Sequence, residues 1–319
     1  MKRALQLFTV LALLLPALAG AQPLPKAYRW IVPSAPGDGS DTAARLVGDK
    51  LGQRLGVPVV IDNKPGAGGV IGSEAAAKSV ADGATMIVGN AGSHGINAAI
   101  FTRLSYDVVQ DFAAVALICA SPNVMVVNAS LPVKTVAEFI AYAKANPGKI
   151  NYASGGVGSS SHLSAELFKS MTGVEMTHVP YKGAVPANAA VLAGEATVMI
   201  GNLPPWSGHL KGGRARALAV TTLSRYHGLP EVPALAETLP GFETVAWFGL
   251  LAPAATPRPV IERINREVNA ILADAEVKAR LEGSGCDAAP GTPEAFAARI
   301  RSDVARWKKL AAERNIRAD

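Results

Sequence analysis

Short runs of β-branched and apolar residues recur along the chain, separated by glycine-rich loops and by longer stretches with helical spacing. The strand-like runs fall at residues 29–32, 57–61, 85–88, 114–118 and 124–128, and again at 150–153, 175–179, 196–200, 216–221 and 245–251. Between them, residues 42–55 place Ala43, Leu46, Val47, Leu51 and Leu55 on one helix face. A helix over 136–145 opens with Thr135 and Glu138 at capping-box spacing. Two more open with proline after Thr256 and Thr292. Strands alternating with helices predict an α/β protein whose parallel sheets lie between helices.

A second regularity concerns order. The loop Ser34-Ala35-Pro36-Gly37-Asp38-Gly39-Ser40-Asp41 follows the first strand and leads into a helix. Far downstream, Ser154-Gly155-Gly156-Val157-Gly158-Ser159-Ser160-Ser161 does the same. The second strand of each set ends near a Lys-Gly turn, Asn63-Lys64-Pro65-Gly66 and Tyr181-Lys182-Gly183. The third ends in Gly89-Asn90 and in Gly201-Asn202. This predicts two lobes of like topology, with the chain crossing near Ala120 to Asn123 and returning near Thr244 to Trp247. The helices from Pro257 onward then pack back on the first lobe.

The two glycine loops are where chemistry belongs, because ligands of doubly wound sheets bind beyond the carboxyl ends of the strands. Glycine lets a ligand approach the main chain. Ser40 or Asp41, and Ser159 to Ser161, would start helices whose first N–H groups lack internal partners, and such ends attract anions. One such loop is ordinary helix capping. Two in corresponding places point to a shared carboxylate.

Composition narrows the classes. The 319 residues are 49% apolar and 18% charged, which excludes disorder. Lys2 and Arg3, the apolar stretch 4–18 and Ala19-Gly20-Ala21 read as a secretion signal cut after Ala21. Its removal takes two cations from the formal +6. The remaining Lys and Arg are scattered, with no basic stripe, zinc-finger spacing or RNP-like motif, so nucleic acid is excluded as a partner. Cys119 and Cys286 cannot make a disulfide scaffold or a Cys-rich metal site. Two buried small hydrophobes is the favoured reading, and pairing in an oxidising compartment is the other.

Enzyme signatures are missing. No Gly-x-Ser-x-Gly elbow, phosphate loop or dinucleotide fingerprint occurs. The five His (94, 162, 178, 209 and 227) never take HExxH or His-x-His spacing, so neither metal nor cofactor is expected. Ser161 and His162 are adjacent, but neighbours at a helix start point in different directions, which favours a packing or pocket role for His162. Trp247 is expected near a cleft, Trp206 and Trp307 in packing.

From Tyr28 to its end the chain resembles the periplasmic substrate-binding proteins of tripartite tricarboxylate transporters, the Bug or TctC-like family. The resemblance rests on residues 33–41 with Arg45, on Asn63-Lys64-Pro65-Gly66-Ala67-Gly68-Gly69 with Ile71 and Gly72, and on Tyr106-Asp107 with Asp111-Phe112. It continues through residues 143–149, 159–162, 178–183, 216–220 and Trp247-Phe248-Gly249. It implies a two-lobed Venus-flytrap protein, each lobe a doubly wound sheet flanked by helices. Lobe 1 would comprise residues 22–121 and 247–319, and lobe 2 residues 122–246.

It further implies a periplasmic monomer that captures a small organic acid and delivers it to the permease subunits of a tripartite transporter, without catalysis. Carried over residue by residue, the ligand contacts would be Ala35, Pro36, Gly37, Asp38, Gly39, Ser40 and Asp41, with Gly89, Asn90 and Ser93. From the second lobe come Ser154, Gly155, Gly156, Gly158, Ser159, Ser160, Tyr181, Lys182, Gly183 and Asn202. Two other functions fit an exported binding protein less closely: a ligand-presenting sensor, and an enzyme using Ser160 or Ser161 with His162. The family pattern has an aromatic or apolar residue at Ser34, Gly at Asp38, Asp at Ala190, and acidic residues at Thr197 and Gly201. Asp38 either points outward or faces a ligand ammonium, which would favour an amino- or amide-bearing acid.

Overall fold

The structure, a computed structural model, describes residues 24–314 and 316–318. The secretion signal expected at 1–21 lies outside the described residues. Among those described, no helix is long and apolar enough to cross a membrane.

The chain opens with β1 (Tyr28–Val32), α1 (Gly39–Leu55), β2 (Val59–Asn63), α2 (Val70–Ala77) and β3 (Thr85–Asn90). β1 pairs in parallel with β2 (Tyr28 opposite Val59) and with β3 (Arg29 opposite Thr85). The later segment β5 (Asn151–Ser154), α5 (Ser160–Thr172), β6 (Thr177–Pro180), α6 (Ala184–Ala193) and β7 (Val198–Asn202) repeats the arrangement. β5 pairs in parallel with β6 and β7. Two short segments complete the first run and its exit, a π turn at Gly92–Ile96 and α3 (Asn97–Ile100), and α4 (Val136–Ala145) precedes β5. The internal repetition read from the loops is therefore a repetition of topology.

Two elements depart from the expectation. The strands expected at 114–118 and 124–128 are one 17-residue strand, β4 (Phe112–Asn128). The crossing expected near Ala120 to Asn123 runs through its middle as continuous strand. Its first part pairs with β9 (Val245–Pro253), from Phe112 opposite Pro253 to Pro122 opposite Val245. From Asn123 it pairs with β7 and with β8 (Ala215–Val220), which follows the short α7 (Ser207–Lys211). Pro122, which has no N–H to give a ladder, is tolerated because it stands where one set of partners ends and the next begins. Both halves thus share one sheet, in the order β2-β1-β3-β9-β4-β7-β5-β6, with β8 and β10 (Asp287–Ala288) attached to β4.

Nor are the sheets wholly parallel. β4 carries the chain out of the first half and β9 brings it back, so β9 runs antiparallel to both of its neighbours, β4 and β3.

Alternation along β4 sends Val124 and Val126 to one core and Met125 and Val127 to another. In β1, Trp30 and Val32 face a core with α1 and α8 (Arg258–Leu272), while Ile31 faces Trp247 and Phe296. Burial on both faces is what covering helices demand. On α8, Ile261, Ile264, Val268 and Ile271 make the buried stripe. The capping box at Thr135 is half realised: Thr135 accepts from Glu138 N–H, but the Glu138 carboxylate accepts from Lys134 N–H.

Cys119 and Cys286 form a disulfide, with 5.6 Å between their Cα atoms, which corrects the buried-thiol reading. The short antiparallel pairing of Asp287 with Ala120 and Ala288 with Cys119 sets them side by side, a tertiary fact that their separation of 167 positions conceals. Cys286 follows Gly285, the C-cap of α9 (Ala275–Ser284), and α10 (Pro293–Arg314) closes the fold.

Candidate functional site

A cavity of about 230 Å³ opens where the carboxyl ends of the parallel strands of both halves meet. It is smaller than the ~300–1,000 Å³ usual for drug-sized ligands, which suits a small metabolite. The first half contributes Pro33, Ser34, Ala35, Asp38, Gly39 and Ser40, the segment 65–69, Asn90 and Ala91. The second contributes Gly155, Gly156, Val157, Ser159 to Ser161, Tyr181 to Ala184, Met199 and Asn202. Ala246 and Phe248 of β9 complete the wall.

α1 begins at Gly39, one or two residues earlier than Ser40 or Asp41, with Asp38 as its N-cap residue. Gly39 is required there: a Cβ would sit 2.5 Å from the Phe248 ring. An N-cap aspartate ordinarily accepts from its own first turn. Asp38 does not; its Oδ1 accepts from Ala184 N–H, 2.9 Å away, at the start of α6. Asp38 is 7% exposed. Burial pushes its carboxyl up to about 6, against the pull of the N–H groups of Ala184, Val185 and Ala35, while nearby Asp41 adds to the rise.

Asp41 has turned away from the cavity. Its carboxylate accepts from Gly37 N–H, Arg45 Nε and Asn63 Nδ2, so it braces the loop from behind. Burial pushes this carboxyl up, but Arg45, Gly37 and Asn63 outweigh that and hold it below the usual range. Ser34 and Ser40 join their hydroxyls at 2.6 Å.

Across the cavity, Ser159 caps α5 by accepting from His162 N–H. Ser160 Oγ donates to Asn202 Oδ1 at 3.0 Å, and Ser161 Oγ accepts from Gly155 N–H. The His162 ring takes Gly158 N–H on Nδ1 and stacks on His178 at 4.3 Å between centroids. The hydroxyls of Ser160 and Ser161 are thus engaged elsewhere than on the imidazole. His178 stacks in turn on Tyr152 and meets Ser154 Oγ at 2.6 Å.

This stack carries a pH prediction. Burial first, then His162, pulls His178 down to about 4 from 6.5, and burial lowers His162 as well. The folded rings bind protons less readily than the unfolded ones, so their contribution is complete above about 6.5 and is lost as pH falls towards about 4. Urea unfolding at pH 7.5 and 5 should show a drop in stability that His178→Gln reduces. An equal drop in the variant removes the stack as the cause.

Of the expected contacts, Ala35, Asp38, Gly39, Ser40, Asn90, Gly155, Gly156, Ser159, Ser160, Tyr181, Lys182, Gly183 and Asn202 line the cavity. Pro36 and Gly37 are exposed outside the wall, and Asp41, Gly89, Ser93, Ser154 and Gly158 are buried behind it. Ser93 illustrates the difference: fully buried, it exchanges hydrogen bonds with Asn90 and supports that residue on the wall. Pro65 to Gly69, Met199 and Phe248 line the wall unanticipated. The correspondence of the Asn63 turn with the Tyr181 turn was the signal for the first group. Trp247 does not reach the cavity; period two along β9 aims Ala246 and Phe248 there, and Trp247 is buried with its Nε1 donating to Asp303.

Among the described residues no group of His, Cys, Asp and Glu could hold a metal. In a larger cavity of about 610 Å³, beside β8 and the end of α9, Arg216 donates to the carbonyls of Ala129, Leu131 and Val133.

The sequence model of the tripartite tricarboxylate transporter family receptors, TctC, matches residues 43–316. The chain is 34% identical over 287 residues to Protein BugT of Bordetella pertussis, covering 89% of this chain and 88% of that protein. Its structure is similar to that of R. palustris Rpa4515 with adipate, at a TM-score of 0.89 and 38% identity over 91% of this chain and 98% of the other. MatC (Rpa3494) from Rhodopseudomonas palustris with bound malate superposes at a TM-score of 0.86 and 32% identity, over 89% and 98%.

Proposed function

Given that the chain belongs to the tripartite tricarboxylate transporter receptor family, we propose that this solute-binding protein captures a small organic acid by its carboxylate, without catalysis. One observation carries the reading: the starts of α1, α5 and α6, from both halves of the sheet, converge on one small cavity. The first N–H groups of a helix have no internal partners, and their dipole favours an anion. The hydroxyls of Ser34, Ser40, Ser159 and Ser160 and the amide of Asn202 add neutral partners, so a carboxylate is held without an arginine.

The protein works as a monomer exported by cleavage after Ala21, with residues 22–121 and 247–319 as one lobe and 122–246 as the other. Closure turns on the two strands that pass between them, beside the buried hydrogen-bonded group Asn123, Ser164, Thr221 and Thr244. Ligand favours the closed form by its greater affinity for it. The closed receptor then delivers its acid to permease subunits in the membrane. The relatives seen with adipate and malate support the ligand class.

The test is a thermal-shift screen of mono- and dicarboxylates on the mature protein, followed by calorimetry. An acid at 100 times its dissociation constant should add about 2.7 kcal/mol of stability. Failure of every acid to shift the transition, or recovery of a chemically altered acid after incubation, overturns the proposal.

A further inference from the structure

The first turn of α6 lacks a cap of its own, since the preceding residue is Gly183, at a φ of +112°. The missing acceptor comes from the opposite side of the cavity, where Asp38 Oδ1 takes Ala184 N–H. The residue placed to cap α1 therefore caps α6 instead. One of the three convergent helix starts is already occupied by an anion, and that anion belongs to the protein.

Asp38 is also without a compensating cation. Among the described residues no ion pair reaches it, whereas Asp41 three positions on is paired with Arg45. The other charged residue on the wall, Lys182, is exposed to solvent. A buried carboxylate that accepts only backbone N–H groups keeps unused lone pairs and net negative charge. A second carboxylate brought to that end of the cavity meets repulsion, while an N–H donor meets an acceptor.

We propose that Asp38 determines specificity, selecting an acid that presents an N–H-bearing group, ammonium or carboxamide, to the α6 end of the cavity and rejecting the matching dicarboxylate. This rests on the carboxylate-binding reading above and narrows it. The free carboxylate of the ligand is left to the starts of α1 and α5.

Calorimetry at pH 7.5 on the wild-type protein decides the matter with three matched series. These are succinate, glutarate and adipate; their monoamides; and 4-aminobutyrate, 5-aminopentanoate and 6-aminohexanoate. The expected result is that, at the best-binding length, the monoamide or the amino acid binds at least 10-fold more tightly than the dicarboxylate. The two nitrogen series tell amide from ammonium. Asp38→Asn, which keeps an acceptor for Ala184 N–H, should reduce or reverse the preference. The wild-type comparison stands even where the variant proves unstable. A wild-type protein that binds the dicarboxylate as tightly as its nitrogen counterparts overturns the role of Asp38 and leaves carboxylate capture intact. Binding in none of the three series overturns both.

Discussion

Replacing Cys119 and Cys286 by serine is expected to lower the unfolding free energy by about 2–5 kcal/mol, the usual cost of removing a native disulfide. With the cysteines 167 positions apart, chain entropy alone gives about 5 kcal/mol as an upper figure. The geometry explains why little of that is lost to distortion. Both cysteines are buried, at 0% and 2% exposure, and β10 already holds the backbone of the second against the first. Serine there leaves two hydroxyls in an apolar core beside Val115, Ile118 and Phe248, a further cost when they find no partner. Urea unfolding of the wild type with and without reductant, compared with the double variant, measures the effect. Reduction should act only on the wild type. Stabilities equal within about 1 kcal/mol in all three would mean that the bridge contributes nothing. The bond also fits an exported protein, since disulfides persist in oxidising compartments.

Much of the architecture was legible because the two halves repeat one local grammar. A strand, a loop of small residues and a helix start occur at Ser34 and again at Ser154, and the sheet uses both in the same way. What stayed hidden depends on partners distant in sequence. Ser121 and Pro122 read as a break, yet β4 passes through them because its partners change there from β9 to β7 and β8.

The disulfide depends on a two-residue strand too short to carry a periodicity. From sequence Asp38 either points outward or faces a ligand, and only folding shows that its acceptor serves Ala184, 146 positions away. Asp41, the same residue type three positions on, is drawn off by Arg45 and Asn63. Sequence spacing could not divide the roles of the two carboxylates, because each role is set by groups on other elements.

Gly68→Ala should reduce affinity for the captured acid by at least 10-fold, and towards 100-fold, while lowering stability only modestly. Gly68 has a φ of +62°, where an L-residue costs roughly 1–2 kcal/mol whether the lobes are apart or together. That part of the penalty cancels in binding. The rest does not cancel: a Cβ on Gly68 would stand 2.2 Å from the carbonyl oxygen of Val157, and 3.3 Å from Gly158 Cα, in the loop of the opposite half. Backbone cannot swing aside as a flexible side chain does, so the contact is relieved by separating the halves. Apparent affinity falls in proportion to the fraction of molecules that can close, and a closed form penalised by about 1.4–2.8 kcal/mol gives 10- to 100-fold. Gly213→Ala is the control. Its φ is +65° and a Cβ there meets nothing within 4 Å, so it should show a similar stability loss and unchanged affinity. Calorimetry on both variants, with small-angle scattering to follow compaction on adding the acid, separates strain from obstruction. Equal affinities in Gly68→Ala and the wild type would mean that the two loops need not meet when the ligand is held, and closure about β4 and β9 would have to be given up.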